Sequence, residues 1–232
     1  MSYQIRRSRD RKYFDHGWLK TYHTFSFASY YDPNFVGFRD LRVINEDRVA
    51  AGHGFPLHDH QDMEIISVVL EGELAHKDSM GNQSILKANE IQAMSAGTGV
   101  THSEYNPSAK DLVHFLQIWI VPDTKGITPS YQQKLLPASS SIQWVLIASK
   151  QGLEGSLKIQ QDVELYSLSL NEGKKEEKQL KPGRYAWLQI IEGDINFNGN
   201  ELHSGDGVAI GTDSHIILEA ISPSRMLFFD LK

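Results

Sequence analysis

Short apolar runs separated by turn-forming residues recur along this chain, and helical periodicity is scarce. That pattern restricts the chain to strands, turns and the architectures that stack them. The runs Leu41–Asn45, Glu64–Leu70, Leu74–Lys77, Ile91–Ser95 and Leu112–Val121 form a first series. Gly155–Gln160, Glu164–Leu170, Ala186–Ile191, Asp194–Phe197, Gly207–Ile210, Ile216–Ala220 and Met226–Leu231 form a second. Regular strand spacing with turn residues between predicts an all-β sandwich or barrel architecture. Ile65-Ile66-Ser67-Val68-Val69-Leu70 is apolar on both faces, as for a strand packed on each side. Asp78-Ser79-Met80-Gly81-Asn82 reads as a hairpin turn.

The two series repeat a pattern. Val69-Leu70-Glu71-Gly72 and Ile190-Ile191-Glu192-Gly193 are each followed by a strand, a turn and an acidic step, Asn89-Glu90 or Gly205-Asp206. Two copies of one small barrel account for this. Between them lies Pro122–Ser141, with Gly126, Pro129, Pro137 and Ser139-Ser140-Ser141, which reads as a linker with a short helix over Tyr131–Leu136.

Ligand-type residues are shared unequally. Eight of the ten histidines precede residue 122, and only His203 and His215 follow it. Two pairs stand out, His58-Asp59-His60 and His102-Ser103-Glu104. Residues two apart on a strand point to the same face, so each pair directs two ligand groups one way. If the two strands are neighbours, three imidazoles and a carboxylate converge, a set suited to a divalent first-row metal. Gly97-Thr98-Gly99 reads as a tight turn before the second ligand strand. No Lys-Ser/Thr follows it into a helix, as a phosphate loop requires. His114 reads as a hydrogen-bonded core histidine, His53 and His76 as turn or surface residues near the site, and Tyr22–Tyr31 as core.

Composition narrows the function classes. Of 232 residues, 40% are hydrophobic and 22% charged, which argues against disorder, and the length accommodates two small domains. The net charge of −6 argues against a phosphate-binding surface; the Arg6–Lys12 cluster stands alone with no recognition module, so direct nucleic-acid binding is not expected. The N-terminus has basic residues with no apolar run behind them, and no stretch approaches a membrane span. Cysteine is absent, compatible with a reducing compartment, and the chain is expected to be soluble and cytoplasmic.

These residues resemble a family pattern. Gly52-x5-His58-x-His60 followed by Gly72 resembles the first cupin motif. Gly97-x-Gly99-x2-His102-x3-Asn106 resembles the second, with Gly97 where a proline is usual. His23-Thr24-Phe25-Ser26-Phe27, Tyr30-Tyr31-Asp32-Pro33, the His58–Glu64 block, the Glu71-Gly72 turn, His76-x-Asp78-Ser79 and Gly99-x2-His102-Ser103-Glu104 together resemble the pirin family. The likeness runs over nearly the whole chain and is nearest the bacterial pirin-like quercetin 2,3-dioxygenases.

The resemblance implies a bicupin: a metal-binding cupin barrel over 1–121, a linker over 122–145 and a degenerate, metal-free cupin over 146–232. It implies one metal held by His58, His60, His102 and Glu104. Iron is expected foremost, with manganese, cobalt, nickel, copper and zinc compatible with the same ligands. General cupins take a carboxylate from the first motif. Here that register falls on Ile65, so Glu64 is expected beside the ligands rather than among them.

The implied reaction is cleavage of the flavonol quercetin between carbons 2 and 3 by dioxygen, with release of carbon monoxide. Glu104 is expected to serve as ligand and, by detaching, as catalytic base. The resemblance also implies alternatives: a metal-dependent transcriptional co-regulator or redox sensor acting through a protein partner, or a dioxygenase for another catechol or enediol.

Overall fold

The computed structural model describes residues 3–137, 143–212 and 214–232. Among them strands dominate, with short 3-10 turns at Ser8–Asp10 and Leu153–Gly155 and no α-helix. No helix is long and apolar enough to cross a membrane. The chain forms two compact units. One comprises Lys12–Leu136 and Leu157–Gln161; the other comprises the described residues of Met1–Arg11, Pro137–Ser156 and Asp162–Lys232. The architecture is the expected all-β bicupin, each unit built from a larger and a smaller antiparallel sheet.

In the first unit a seven-stranded sheet runs in the order Ser130–Leu135, Glu90–Ser95, Glu64–Glu71, Val113–Ile120, Leu41–Val49, Leu19–His23 and Lys12–Asp15. A four-stranded sheet runs Gly54–His60, Val100–Tyr105, Glu73–Asp78 and Gln83–Lys87. Apolar side chains fill one end of the unit: Leu19, Val49, Val69, Leu74, Leu86, Val113 and Phe115 pack together, with Phe55 against them. Each such fully buried side chain contributes roughly 1.5–3 kcal/mol of transfer free energy. The opposite end holds a smaller cluster of Ile65, Met94, Ala96 and Val100. Between these two apolar layers the inward-facing residues are polar.

The second unit repeats the plan. Its larger sheet includes, in order, Tyr3–Arg6, Gly207–Ile210, Tyr185–Glu192, Ser224–Leu231, Val163–Leu170 and Gln143–Ser149. Its four-stranded sheet runs Lys175–Gln179, His215–Ala220, Asp194–Phe197 and Asn200–His203.

One expected element is corrected. Tyr131–Leu136 does not form a helix. Ser130–Leu135 is an edge strand paired antiparallel to Glu90–Ser95. The open sheet edge offers a row of backbone donors and acceptors, and pairing with it overrides the weak helical preference of a Gln-Gln-Lys-Leu stretch. The expected linker thus contributes a strand to the first unit; Ser139-Ser140-Ser141 lies outside the described residues.

Candidate metal centre

Strand alternation explains which residues face the interior of the first barrel. Along Val100–Tyr105, Val100, His102 and Glu104 are buried while Thr101 and Ser103 are half-buried and Tyr105 is exposed. Along Glu73–Asp78, Leu74, His76 and Asp78 point inward in the same way. Pairing sets His102 opposite His58 on one side and opposite Asp78 on the other, and Glu104 opposite His76. The two expected ligand pairs thus lie on adjacent strands, Gly54–His60 and Val100–Tyr105.

A bulge completes the arrangement. Between the His102–His58 and Glu104–Phe55 pairs the first strand carries one extra residue, over Pro56 and Leu57. Proline has no N–H to give a ladder, so a bulge accommodates it. The freed Pro56 carbonyl lies 2.8 Å from His58 Nδ1 and accepts its proton, which leaves Nε2 of His58 with the lone pair. Gly97 stands at the turn before the second ligand strand with φ of 47°, and a Cβ there would collide with the Ile127 carbonyl oxygen.

The interior groups form two overlapping trios. The ligand atoms of His58, His60 and His102 all lie within 4.8 Å of one another, and so do those of His76, His102 and Glu104. Nitrogens held by one ion at about 2.1 Å sit at most about 4.2 Å apart, so small side-chain rotations close either set. Ring centroids of His58, His60 and His102 are 4.4–4.9 Å apart. His58 and His60 are half-buried, toward the mouth; His76, His102 and Glu104 are buried, deeper in the barrel. Glu104 thus sits against His102 and His76, and His102 belongs to both trios.

The donor set fits a cation. His60 Nε2, both ring nitrogens of His102 and His76 Nδ1 are buried with no hydrogen-bond partner among the described residues. Buried polar atoms are otherwise paired nearly everywhere in proteins, so this concentration at one point marks a ligand site. Burial pushes the His60 imidazole down to about 4 and the His102 imidazole down to about 2, keeping both neutral with lone pairs available. Burial also pushes the Glu104 carboxyl up, and a bound cation reverses that effect.

Glu104 is held by residues that no local spacing points to. Gln92 Nε2 donates to Oε1 at 2.9 Å and Gln117 Nε2 donates to Oε2 at 2.8 Å. Ser67 Oγ lies 3.1 Å from Oε1 and 2.7 Å from Gln117 Oε1, and accepts from Gln92 Nε2 at 2.9 Å. These residues occupy one row across the large sheet, because Gln92 pairs with Ser67, Ser67 with Gln117, Gln117 with Asn45 and Asn45 with His23. Ser67 is the one polar residue in the doubly apolar Ile65–Leu70 run, and it points at the site. Next along the barrel is Asp47, whose carboxyl burial pushes up to about 7.

The remaining residues singled out in the sequence are placed as follows. Glu64 is buried and accepts from Ser95 Oγ at 2.7 Å, apart from both trios. His114 pairs with Glu46 at 3.0 Å. His53 is exposed and stacks on Trp18, and Phe25 is core while Tyr31 is exposed. His203 pairs with Asp194 at 2.8 Å and His215 with Glu177 at 3.1 Å, both on the surface. His76, expected at a turn or the surface, is only 1% exposed and is an interior residue. Trp119 closes over His60, edge to face at 4.9 Å. Beside His60 opens a cavity of about 420 Å³ lined by Asp59, Gln61, Ser79, Gly99, Val100 and Thr101, within the range of small-molecule sites.

Comparison with known proteins agrees with this architecture. The pirin family profile matches residues 4–120, and that of the quercetinase C-terminal cupin domain matches 146–231. A protein of Escherichia coli K12 named quercetin 2,3-dioxygenase is 48% identical over 227 residues, covering 98% of this chain and 97% of its own. A pirin-like protein of Caulobacter vibrioides is 38% identical, covering 95% of this chain and 98% of its own. The crystal structure of the Escherichia coli bacterial pirin YhhW in complex with nickel(II) superposes with a TM-score of 0.95 at 45% identity, covering 99% of each chain. Two inward-facing ligand pairs on neighbouring strands, a second barrel without them and likeness along the full chain lead to one conclusion: this protein belongs to the pirin family.

Proposed function

We propose that the first barrel is the active site of a metal-dependent dioxygenase that cleaves quercetin between carbons 2 and 3 with dioxygen and releases carbon monoxide. The observation that carries this reading is the buried cluster of imidazoles with unpartnered nitrogens, in a chain 48% identical to a protein named for that activity. His58, His60, His102 and Glu104 hold a single transition metal, and iron suits both the nitrogen–oxygen ligands and the dioxygen co-substrate. A bound divalent ion supplies Lewis acidity that lowers the pKa of a flavonol hydroxyl.

The protein's own residues set up the rest. Pro56 fixes the His58 tautomer, and burial keeps His60 and His102 unprotonated. Gln92 donates to Oε1 of Glu104 and Gln117 donates to Oε2. A carboxylate oxygen has two lone pairs, so these amide donors leave the carboxylate able to accept further. The ligand and base roles compete for that remaining capacity. Glu104→Gln separates the two roles. Full turnover with metal bound would remove the base role.

The test of the activity is an aerobic assay of metal-loaded protein with quercetin, following loss of flavonol absorbance and release of carbon monoxide. Turnover well above that of the free metal ion is expected. A rate equal to free metal, with tight binding to a transcription component, would replace the enzyme with the co-regulator.

A further inference from the structure

His76 is the interior histidine that the four expected ligands leave out. Its ring is fixed on two sides. Nε2 donates to Asp78 Oδ2 at 3.0 Å, and Tyr131 stacks on the ring at 4.6 Å between centroids with an interplanar angle of 22°. Both supports are themselves held. Asp78 Oδ1 accepts the Met80 and Asn82 amides at 2.9 and 3.0 Å, so the hairpin turn locks the carboxylate. The Tyr131 hydroxyl is 2.6 Å from Ser84 Oγ and donates to Gln133 Oε1 at 3.2 Å. With the proton on Nε2, the lone pair of a neutral imidazole is on Nδ1. That nitrogen is buried and unpartnered. A ring nitrogen of His76 lies within 4.8 Å of ligand atoms of both His102 and Glu104.

A ring whose far N–H is held by a carboxylate is the usual posture of a metal-bound histidine. Two imidazoles and one carboxylate are also the donor set of many non-haem iron sites. We propose that His76 Nδ1 is a metal ligand, and that His76, His102 and Glu104 form an inner subsite able to hold a divalent first-row ion without His58 and His60. The inference rests on the metal-centre reading above and extends its ligand set. Both trios draw on His102, and the expected stoichiometry is one ion per barrel.

Cobalt(II) titration of the metal-free protein tests this, with visible absorption reporting the ligand field and equilibrium dialysis the stoichiometry. The His58→Ala/His60→Ala variant is expected to keep one cobalt per chain, bound at least about tenfold more weakly than in the parent protein. Adding His76→Ala, or His76→Gln to retain a polar side chain beside Tyr131, is expected to abolish that residual binding. Circular dichroism establishes that each variant is folded. If His58→Ala/His60→Ala binds no cobalt while folded His76→Gln alone matches the parent in affinity and spectrum, the inner subsite does not exist. Failure of the parent protein to bind cobalt would instead overturn the metal-centre reading itself.

Discussion

The two barrels share a plan and differ in what fills them. In each, a strand ends in a Glu-Gly turn, with φ of 76° at Gly72 and 81° at Gly193. A Cβ at either glycine would meet backbone leading into the neighbouring strand, the Leu112 carbonyl in one and the Pro223 carbonyl in the other. The inward rows then diverge. In the small sheet of the first barrel the second strand carries His102 and Glu104; in the second barrel the strand at that place carries Ile216 and Leu218, both fully buried. The third strand carries His76 in one, and Ile195 and Phe197 in the other. The first strand carries His58 and His60 in one; in the other it sends Lys178 over the rings of Trp144, Tyr166 and Phe228 at 4.7–5.5 Å. An apolar cluster fills the core of the second barrel, including Leu188, Val208, Met226 and Phe228.

The barrel therefore needs its interior filled but does not need it polar. Folding alone is served better by the second arrangement, since unpartnered buried nitrogens are costly. Their presence in the first barrel is a departure from folding economy of the kind that marks a functional site.

The largest expected effect that separates the barrels is on metal binding. His102→Ala removes a member of both trios and is expected to abolish it, measured as bound metal per chain after dialysis. Phe228→Ala acts on the other side of the comparison. It is expected to cost about 3–5 kcal/mol of stability by denaturant unfolding, while folded protein keeps its metal. Gln117→Leu removes one of the donors to Glu104 and is expected to weaken metal affinity by about 10–100-fold in a competition titration. His203→Ala and His215→Ala lie on the surface of the second unit and are expected to leave metal content unchanged.

How much of this was legible in the sequence follows from where each residue sits. His58 with His60, and His102 with Glu104, are visible because both members of a pair lie on one strand with the strand's own period. His76 and Asp78 have that same spacing, and the same rule places them on one face. What it does not show is that the face is the barrel interior, because that depends on pairing with Val100–Tyr105. Ser67, Gln92 and Gln117 come one to a strand, and each is an ordinary polar residue in an apolar run. Only the register of separate strands assembles them around Glu104. Ser130–Leu135 escaped for a related reason: its strand character comes from the sheet edge it joins, and its own side chains carry no alternation.

The central claim is that the first barrel alone holds one metal, and metal analysis of the His58→Ala/His102→Ala variant beside the parent protein tests it most directly. The variant breaks both trios and leaves the second barrel untouched. One metal per parent chain and none in the folded variant is the predicted result; stoichiometric metal surviving in the variant would contradict the account.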